Sequence, residues 1–488
     1  MLTSSERPPA GVVVLGAGVS GLVAAHELER LGHRVLVLEG SDRIGGRVHT
    51  HRFGAGDDAP YAELGAMRIP DGHTLTMRYV EKLGLEPALR PFRTILSDEN
   101  NYLPTGRGFV RVREAAGPVV EDLRRDLPVD GHRPATVVFG AWLAATVRVL
   151  GPGELRDGLV GDLAGLLALA DGVDLAPYLR GPGRDRIDLG RVFRDHPGLR
   201  AGCGRRLEGF LDDILVETGP GLRHLSGGMA QLTDRLAATL RGPVLRRHEV
   251  RGIAVRHDAV DIRVRTPRGA RSLSYPMALC TLPFSVLRGL DLDGFDDDKR
   301  DVVRTVEYGA ATKVVLHCRE AFWERDGILG GASATGGRTR QTYYPPRDAG
   351  PGRGAVLLGS YAIAEDADLL GRLPEELRPA AVIEELAPLH PELKDPGMVL
   401  DAVSVAWGRD PWSKGCTARR WGKDAAEQSA ERRRAARPQG RLYFAGEHCS
   451  SWPAWINGAI ESALGAVDAM DAAARAGSRA GTDIGRNE

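Results

Sequence analysis

Residues 12 to 47 constrain the fold more than any other part of this chain. Val12, Val13, Val14 and Leu15 form a continuous apolar run, as required of a strand buried on both faces of a parallel sheet. Gly16, Gly18 and Gly21 come next as GxGxxG, and the residues after them predict a helix from Leu22 to Leu31. The three glycines serve different ends. Gly16 lets the chain turn, Gly18 keeps side chains away from a pyrophosphate, and Gly21 lets the helix press onto the sheet. The free amides at the helix start then face the phosphates. Val35 to Leu38 predicts a second strand, and Glu39 ends it, 18 residues beyond Gly21. A carboxylate there accepts both ribose hydroxyls and repels a 2'-phosphate. The segment reads as the first half of a dinucleotide-binding unit, with an adenine dinucleotide as its ligand.

The run just past Glu39 separates the possible cofactors. Arg43-Ile44-Gly45-Gly46-Arg47 sets two glycines and two guanidinium groups beyond the ribose carboxylate, suited to closing over a diphosphate and approaching an isoalloxazine ring. Here the chain resembles the FAD-dependent amine oxidase superfamily, whose GxGxxG, Glu, RxGGR signature it matches without a gap. The resemblance runs over nearly the whole chain, the central helical stretch being its least specific part. It implies an α/β fold with a Rossmann-type, glutathione-reductase-like FAD-binding domain, a mixed-sheet α+β substrate domain and an inserted helical domain. It places no flavin-linking cysteine at Cys449, so noncovalent FAD is expected.

The bulk properties agree with a globular enzyme. At 488 residues the chain exceeds one core and fits two or three domains. Its 65 basic and 65 acidic side chains cancel, so no global field favours nucleic acid or an anionic membrane surface. No apolar stretch approaches the roughly 20 residues needed to span a bilayer, and Met1 to Pro9 lacks the apolar core of a signal peptide. A cytoplasmic protein is the expectation. Cys203, Cys280, Cys318, Cys416 and Cys449 are odd in number and without CxxC spacing, which predicts free buried thiols rather than a disulfide framework or a zinc site. The Ala, Gly and Arg richness has the look of a high-GC bacterial genome.

Along the chain, the nucleotide unit breaks off and resumes. A helix is predicted from about His73 to Leu83, and between Val110 and Gly221 helical stretches alternate with Gly-Pro turns. Val244 to Leu279 alternates in the strand manner, its first strand near Val250 passing beside the adenine, and Thr281 to Pro283 returns towards the nucleotide. Strands dominate from Val306 to Leu358, followed by a long helix from about Pro374 to Leu389. A strand from Arg441 ends in Gly446-Glu447, and the helix Ile456 to Ala474 closes the chain. The expected division is residues 8–71, 222–305 and 436–476 for the FAD-binding domain, 72–109 and 306–435 for the substrate domain, and 110–221 for the helical domain.

The resemblance also implies the chemistry. Gly65-Ala66-Met67-Arg68-Ile69-Pro70 is similar to the LGxMRxP segment of L-amino acid oxidases, whose arginine forks onto the substrate's α-carboxylate. A guanidinium offers two parallel donors, which fixes orientation as well as charge. Tyr361, in the strand Leu357 to Asp366, resembles the tyrosine whose hydroxyl meets the same carboxylate. Lys313 corresponds to the lysine that holds a water against the flavin N5, and Trp455, beside Ala454, to the aromatic that packs against the substrate. Gly65, Ala66, Met67, Arg68, Val250, Glu447, Trp455 and Ile456 join Gly16, Gly18, Gly21, Glu39, Gly46 and Arg47 as expected FAD contacts. No metal is expected. The inserted helical domain and the Ser450 to Pro453 loop are expected to shape the side-chain end of the pocket, Trp412 and Trp421 to line nothing, and neither His196 nor His224 is given a gating role.

These expectations amount to hydride transfer from the Cα of an L-amino acid to flavin N5, yielding a 2-oxo acid, ammonia and, with O2, hydrogen peroxide. An oxidase of a primary amine or polyamine is the first alternative, because Trp407 to Gly415 also looks like the amine-oxidising members. An amino acid 2-monooxygenase is the second and a flavoprotein with vestigial chemistry the third. The partners implied are a small-molecule L-amino acid and O2, with neither nucleic acid nor membrane, and a homo-oligomer such as a dimer follows family habit.

Overall fold

The computed structural model describes residues 11–484 except 57, 220, 347–352 and 421. A five-stranded sheet organises the nucleotide end, in the order Val244–Leu245, Val35–Leu38, Val12–Leu15, Met277–Cys280, Leu442–Phe444. Every pairing in it is parallel. Val12–Leu15 sits in the middle and is wholly buried, which is why that strand carries an unbroken apolar run rather than an alternating one. One face is covered by the helices Val19–Arg30 and Ile456–Ile484, whose Leu22, Val23, Leu28, Ile460, Ala463 and Val467 share one core.

Three expected helices depart from their bounds. The first begins at Val19, not Leu22, with Gly18 as its N-cap, so Gly21 lies inside it. The last runs past Ala474 to Ile484. The expected long helix from Pro374 to Leu389 is instead a 3-10 turn at Glu375–Leu377 and a short helix at Arg378–Leu386. Pro379 explains the late start, since its ring lacks an N–H and clashes with the carbonyl four residues earlier, and Pro388 bars continuation.

A second five-stranded sheet, entirely antiparallel, orders Ala332–Ala334, Gln341–Tyr343, Ala355–Ile363, Ala311–Cys318 and Val399–Ala406. Its register sets Lys313 directly opposite Tyr361, so the two side chains share a face. The stretch 116–218 is mostly helical, with Pro134–Leu150 and Arg205–Thr218 among its helices and two short paired strands, Leu179–Arg180 and Arg186–Ile187. Its core is continuous with one face of the antiparallel sheet through Val315, Tyr343 and Leu358.

Arg340 fastens these two parts together. Its Nη2 donates to the carbonyls of Leu150 and Gly151 at 2.9 and 2.7 Å and reaches that of Val149 at 3.2 Å, while Nη1 pairs with Asp366. A helix leaves its last carbonyls without partners, and a buried cation supplies the missing donors. No described helix is long and apolar enough to cross a membrane.

Candidate active site

One long cavity runs from the C-terminal ends of the parallel strands to the antiparallel sheet. At its nucleotide end the glycines act by what they leave empty. Gly16 turns with φ +105°, and a Cβ on Gly21 would collide with the Gly16 carbonyl. A Cβ on Gly18 would meet nothing nearer than Gly46 Cα at 4.0 Å, so any side chain there would project into the space before the first helix. Gly21 lines no part of the cavity; its role is the helix contact. Glu39, 8% exposed, accepts the Ala17 and Ser41 amides at 2.8 Å each, which aims its carboxylate from the strand end. Val250, Thr281, Leu282 and Pro283 form the far wall. Trp412 stands there too, against Gly40, contrary to the expectation that it lines nothing. Trp421 lies outside the described residues.

In the middle, Arg47 does not stand free over a diphosphate. Its Nη1 donates to Glu447 Oε1 at 2.7 Å and to the Cys416 carbonyl at 2.8 Å. Glu447 also accepts the Thr417 hydroxyl and the Ala418 and Ala454 amides. Burial opposes its ionisation, but Arg47 holds the carboxyl below its usual range. Arg43 lies over the Trp407 ring, 5.9 Å from its centroid.

The inner end gathers Arg68, Lys313, Tyr361, Ala454 and Trp455, contributed by four separate parts of the chain. Arg68, 8% exposed, is held between the rings of Phe92 and Trp455, at 5.8 and 6.0 Å from their centroids. Its Nη1 donates to the Tyr343 hydroxyl at 3.1 Å, and Tyr343 in turn donates to Gln341 Oε1 at 2.9 Å. The guanidinium also hydrogen-bonds Tyr361, whose hydroxyl burial pushes up to about 12, so it stays protonated at neutral pH. Lys313 Nζ donates to the Gly65 and Glu63 carbonyls at 2.7 and 3.1 Å and sits 5.0 Å from the Tyr361 ring centroid. Burial drives the Lys313 amine down and the neighbouring Glu63 carboxyl up. Both changes favour neutral forms of the pair.

Every expected site residue except Gly21 lines this one cavity, together with several that the sequence did not announce. Gln341 comes from a strand with no motif, whose Tyr343 stands behind it on Arg68, and Phe210, Asp213 and Glu217 come from the helix Arg205–Thr218. Glu217 pairs with Arg68 Nη2. Neither acidic residue close to Arg68 in sequence is its partner: Asp71 pairs with Arg223, and Glu63 accepts from Thr50 and the Met229 amide. The Ser450 to Pro453 loop does not line the cavity, and Trp452 is 45% exposed, edge-on to His73. All five cysteines are free; Cys416 alone of them is not fully buried and lines the cavity.

The sequence profile of the flavin-containing amine oxidoreductases matches residues 19–151 and 192–471. The chain belongs to this family. FAD is therefore its cofactor, and the cradle fits it: open space at Gly18, backbone amides at a helix start, and a carboxylate at the end of the second strand. As a flavin amine oxidoreductase the chain is 54% identical to a flavin-dependent L-tryptophan oxidase, RebO, of Lentzea aerocolonigenes, over 94% of this chain and 98% of that one. It is 28% identical to an L-amino-acid oxidase of Bungarus fasciatus, over 96% and 88%. Its fold is shared with putrescine oxidase (TM-score 0.63, 19% identity, 95% and 99% covered) and with cyclohexylamine oxidase from Brevibacterium oxydans (TM-score 0.63, 19% identity, 96% and 100% covered).

Proposed function

We propose that this flavoenzyme oxidatively deaminates an L-amino acid with an aromatic side chain, releasing the 2-oxo acid, ammonia and hydrogen peroxide. The observation that carries the reading is Arg68, a guanidinium held inside the cavity between two aromatic rings and beside the Tyr361 hydroxyl. A simple amine offers such a group nothing to bind, whereas an α-carboxylate takes both its parallel donors. Similarity to an L-tryptophan oxidase supports the aromatic preference, and Phe210, Leu150 and Trp455 give the cavity an apolar lining.

Arg68 and Tyr361 fix the carboxylate, and Trp455, beside Arg68, packs against the substrate's Cα and side chain. Orientation of this kind is worth about 7 to 11 kcal/mol of barrier in well-aligned cases. Bound FAD supplies the two-electron acceptor for the Cα hydride. Lys313, anchored by two carbonyls, positions a water that serves imine hydrolysis. In this reading residues 8–71, 222–305 and 436–476 hold FAD, 72–109 and 306–435 the substrate, and 110–221 roof the cavity.

The test is anaerobic addition of each standard L-amino acid, its D-form and its decarboxylated amine to the yellow protein, followed by a peroxide assay on admitting air. Bleaching by L-aromatic amino acids with peroxide release is expected. Bleaching by amines alone would overturn the proposal and leave Arg68 a structural role.

A further inference from the structure

We propose that Glu217 is the base that receives the substrate's α-ammonium proton, an assignment that rests on the L-amino acid reading above. Glu217 enters the cavity from the last turn of the helix Arg205–Thr218. Its Oε1 pairs with Arg68. Its Oε2 is buried and accepts no hydrogen bond from any described residue. A buried carboxylate oxygen without a donor is costly, and this one stands at a helix C-terminus, where the carbonyl dipoles disfavour negative charge and no basic residue of the last turn offsets them. The position therefore calls for a cationic donor close to Arg68.

An α-amino acid brings such a donor. Its carboxylate, forked on Arg68, and its ammonium are attached to the same carbon, so fixing one on the guanidinium delivers the other to the carboxylate already paired with that guanidinium. Arg68, substrate carboxylate, substrate ammonium and Glu217 then alternate in sign around a closed and neutral quartet. Removing either charge from the ligand leaves two like charges adjacent, which selects the zwitterion against simple amines and simple acids alike. Deprotonation follows within the quartet: one N–H bond of the ammonium breaks, an O–H bond forms at Glu217 Oε2, and no electrons change owner. The neutral amine keeps the lone pair that becomes the C=N bond on oxidation. Of the other titratable groups, Tyr343 and Tyr361 bond the same guanidinium, Asp213 on the same helix and Lys313 on the sheet line the same cavity, and His224 lies edge-on to Phe92, the ring stacked on Arg68.

The experiment compares wild type, Glu217→Gln and Glu217→Asp as FAD-loaded enzymes, on whichever L-amino acid bleaches the wild type. That choice keeps a failure of this assignment separate from a failure of the substrate reading. For E217Q, kcat/KM at neutral pH is expected to fall about 10²-fold or more and to climb tenfold per pH unit as the free amine form of the substrate becomes available. E217D is expected to keep the wild-type pH profile at reduced rate. Titration of the flavin spectrum with 3-phenylpropanoate, which has the carboxylate and no amine, is expected to show equal or tighter binding in E217Q. Wild-type kcat/KM and pH profile in E217Q, or the same steep pH dependence in E217D, would overturn the proposal. So would a loss of 3-phenylpropanoate binding in E217Q as large as the loss of amino acid turnover, which would reduce Glu217 to a support for Arg68.

Discussion

Arg47 and Glu447, 400 residues apart in sequence, form a 2.7 Å ion pair at the centre of the cofactor cavity. The pair ties the loop after the second strand to the end of the last one. Glu447→Ala would leave a partly buried guanidinium without its carboxylate, and the buried Ala418 amide and the partly buried Ala454 amide without an acceptor. Breaking a buried pair in this way costs about 3 to 5 kcal/mol. The variant is expected to purify with a reduced ratio of flavin to protein absorbance and a lower Tm. Full FAD loading at the wild-type Tm would remove Glu447 from the cofactor site.

Arg68→Lys keeps a positive charge but gives up the fork, the stacking between Phe92 and Trp455, and the bond to Tyr343. Losing a charged hydrogen bond of about 1.5 to 3 kcal/mol corresponds to roughly a 10- to 150-fold fall in kcat/KM. FAD content is expected to be unchanged, because the nucleotide end does not involve this side chain. Steady-state kinetics on the preferred amino acid decide it, and unaltered turnover would take Arg68 out of substrate binding.

Arg340→Met should loosen the helical stretch from the antiparallel sheet. It deprives the Leu150 and Gly151 carbonyls of their donor and leaves Asp366 with Arg156 alone, at a site where the arginine is 4% exposed. A loss of about 3 to 5 kcal/mol is expected, with new protease cleavage between residues 116 and 218 appearing before cleavage elsewhere. Resistance equal to wild type in limited proteolysis would show that the apolar contacts hold this junction without the clamp.

Stability should fall in two steps on acidification. Burial lowers His49, His73 and His390 to about 4 and His448 to about 3. The unfolded chain therefore binds more protons than the folded one as pH drops below 6.5, and stability declines from there to about pH 4. Glu27 adds the second step. Burial opposes its ionisation, yet hydrogen bonds from Lys82, Arg30 and Tyr79 outweigh that and hold it at about 2. The stability it contributes is present above pH 4.5 and lost as pH falls towards 2. A Tm that stays level from pH 7 to 4.5 would contradict the histidine assignment.

How much of the fold and site is legible in the sequence depends on the range of the interactions. The nucleotide unit is readable because strand, glycines, helix and Glu39 lie within one short run and report on each other. Arg68, Lys313 and Tyr361 are reached through resemblance; only the register that sets Lys313 opposite Tyr361 explains why they share a face. Glu217 is invisible, since its partner lies in another part of the chain and an acidic residue near a helix end carries no pattern. Trp412 and Trp452 mislead for the same reason: an isolated tryptophan reports apolarity, and only the tertiary contacts show that the first faces Gly40 and the second faces solvent. The overlong helix before Leu389 is an avoidable misreading, as Pro379 and Pro388 both stand in view.

The interleaved parallel sheet has a consequence for biosynthesis. Its middle strand, Val12–Leu15, takes one neighbour from Val35–Leu38 but the other from Met277–Cys280, and the sheet closes only with Leu442–Phe444. At about 5 to 20 residues per second, a ribosome needs roughly 20 to 90 s between emitting the first strand and the last. For most of that time an apolar strand edge lies open to solvent and to other nascent chains. The nucleotide-binding sheet is therefore complete only once Leu442–Phe444 has been made, and shortening the chain before Leu442 should yield aggregates rather than a smaller apoenzyme.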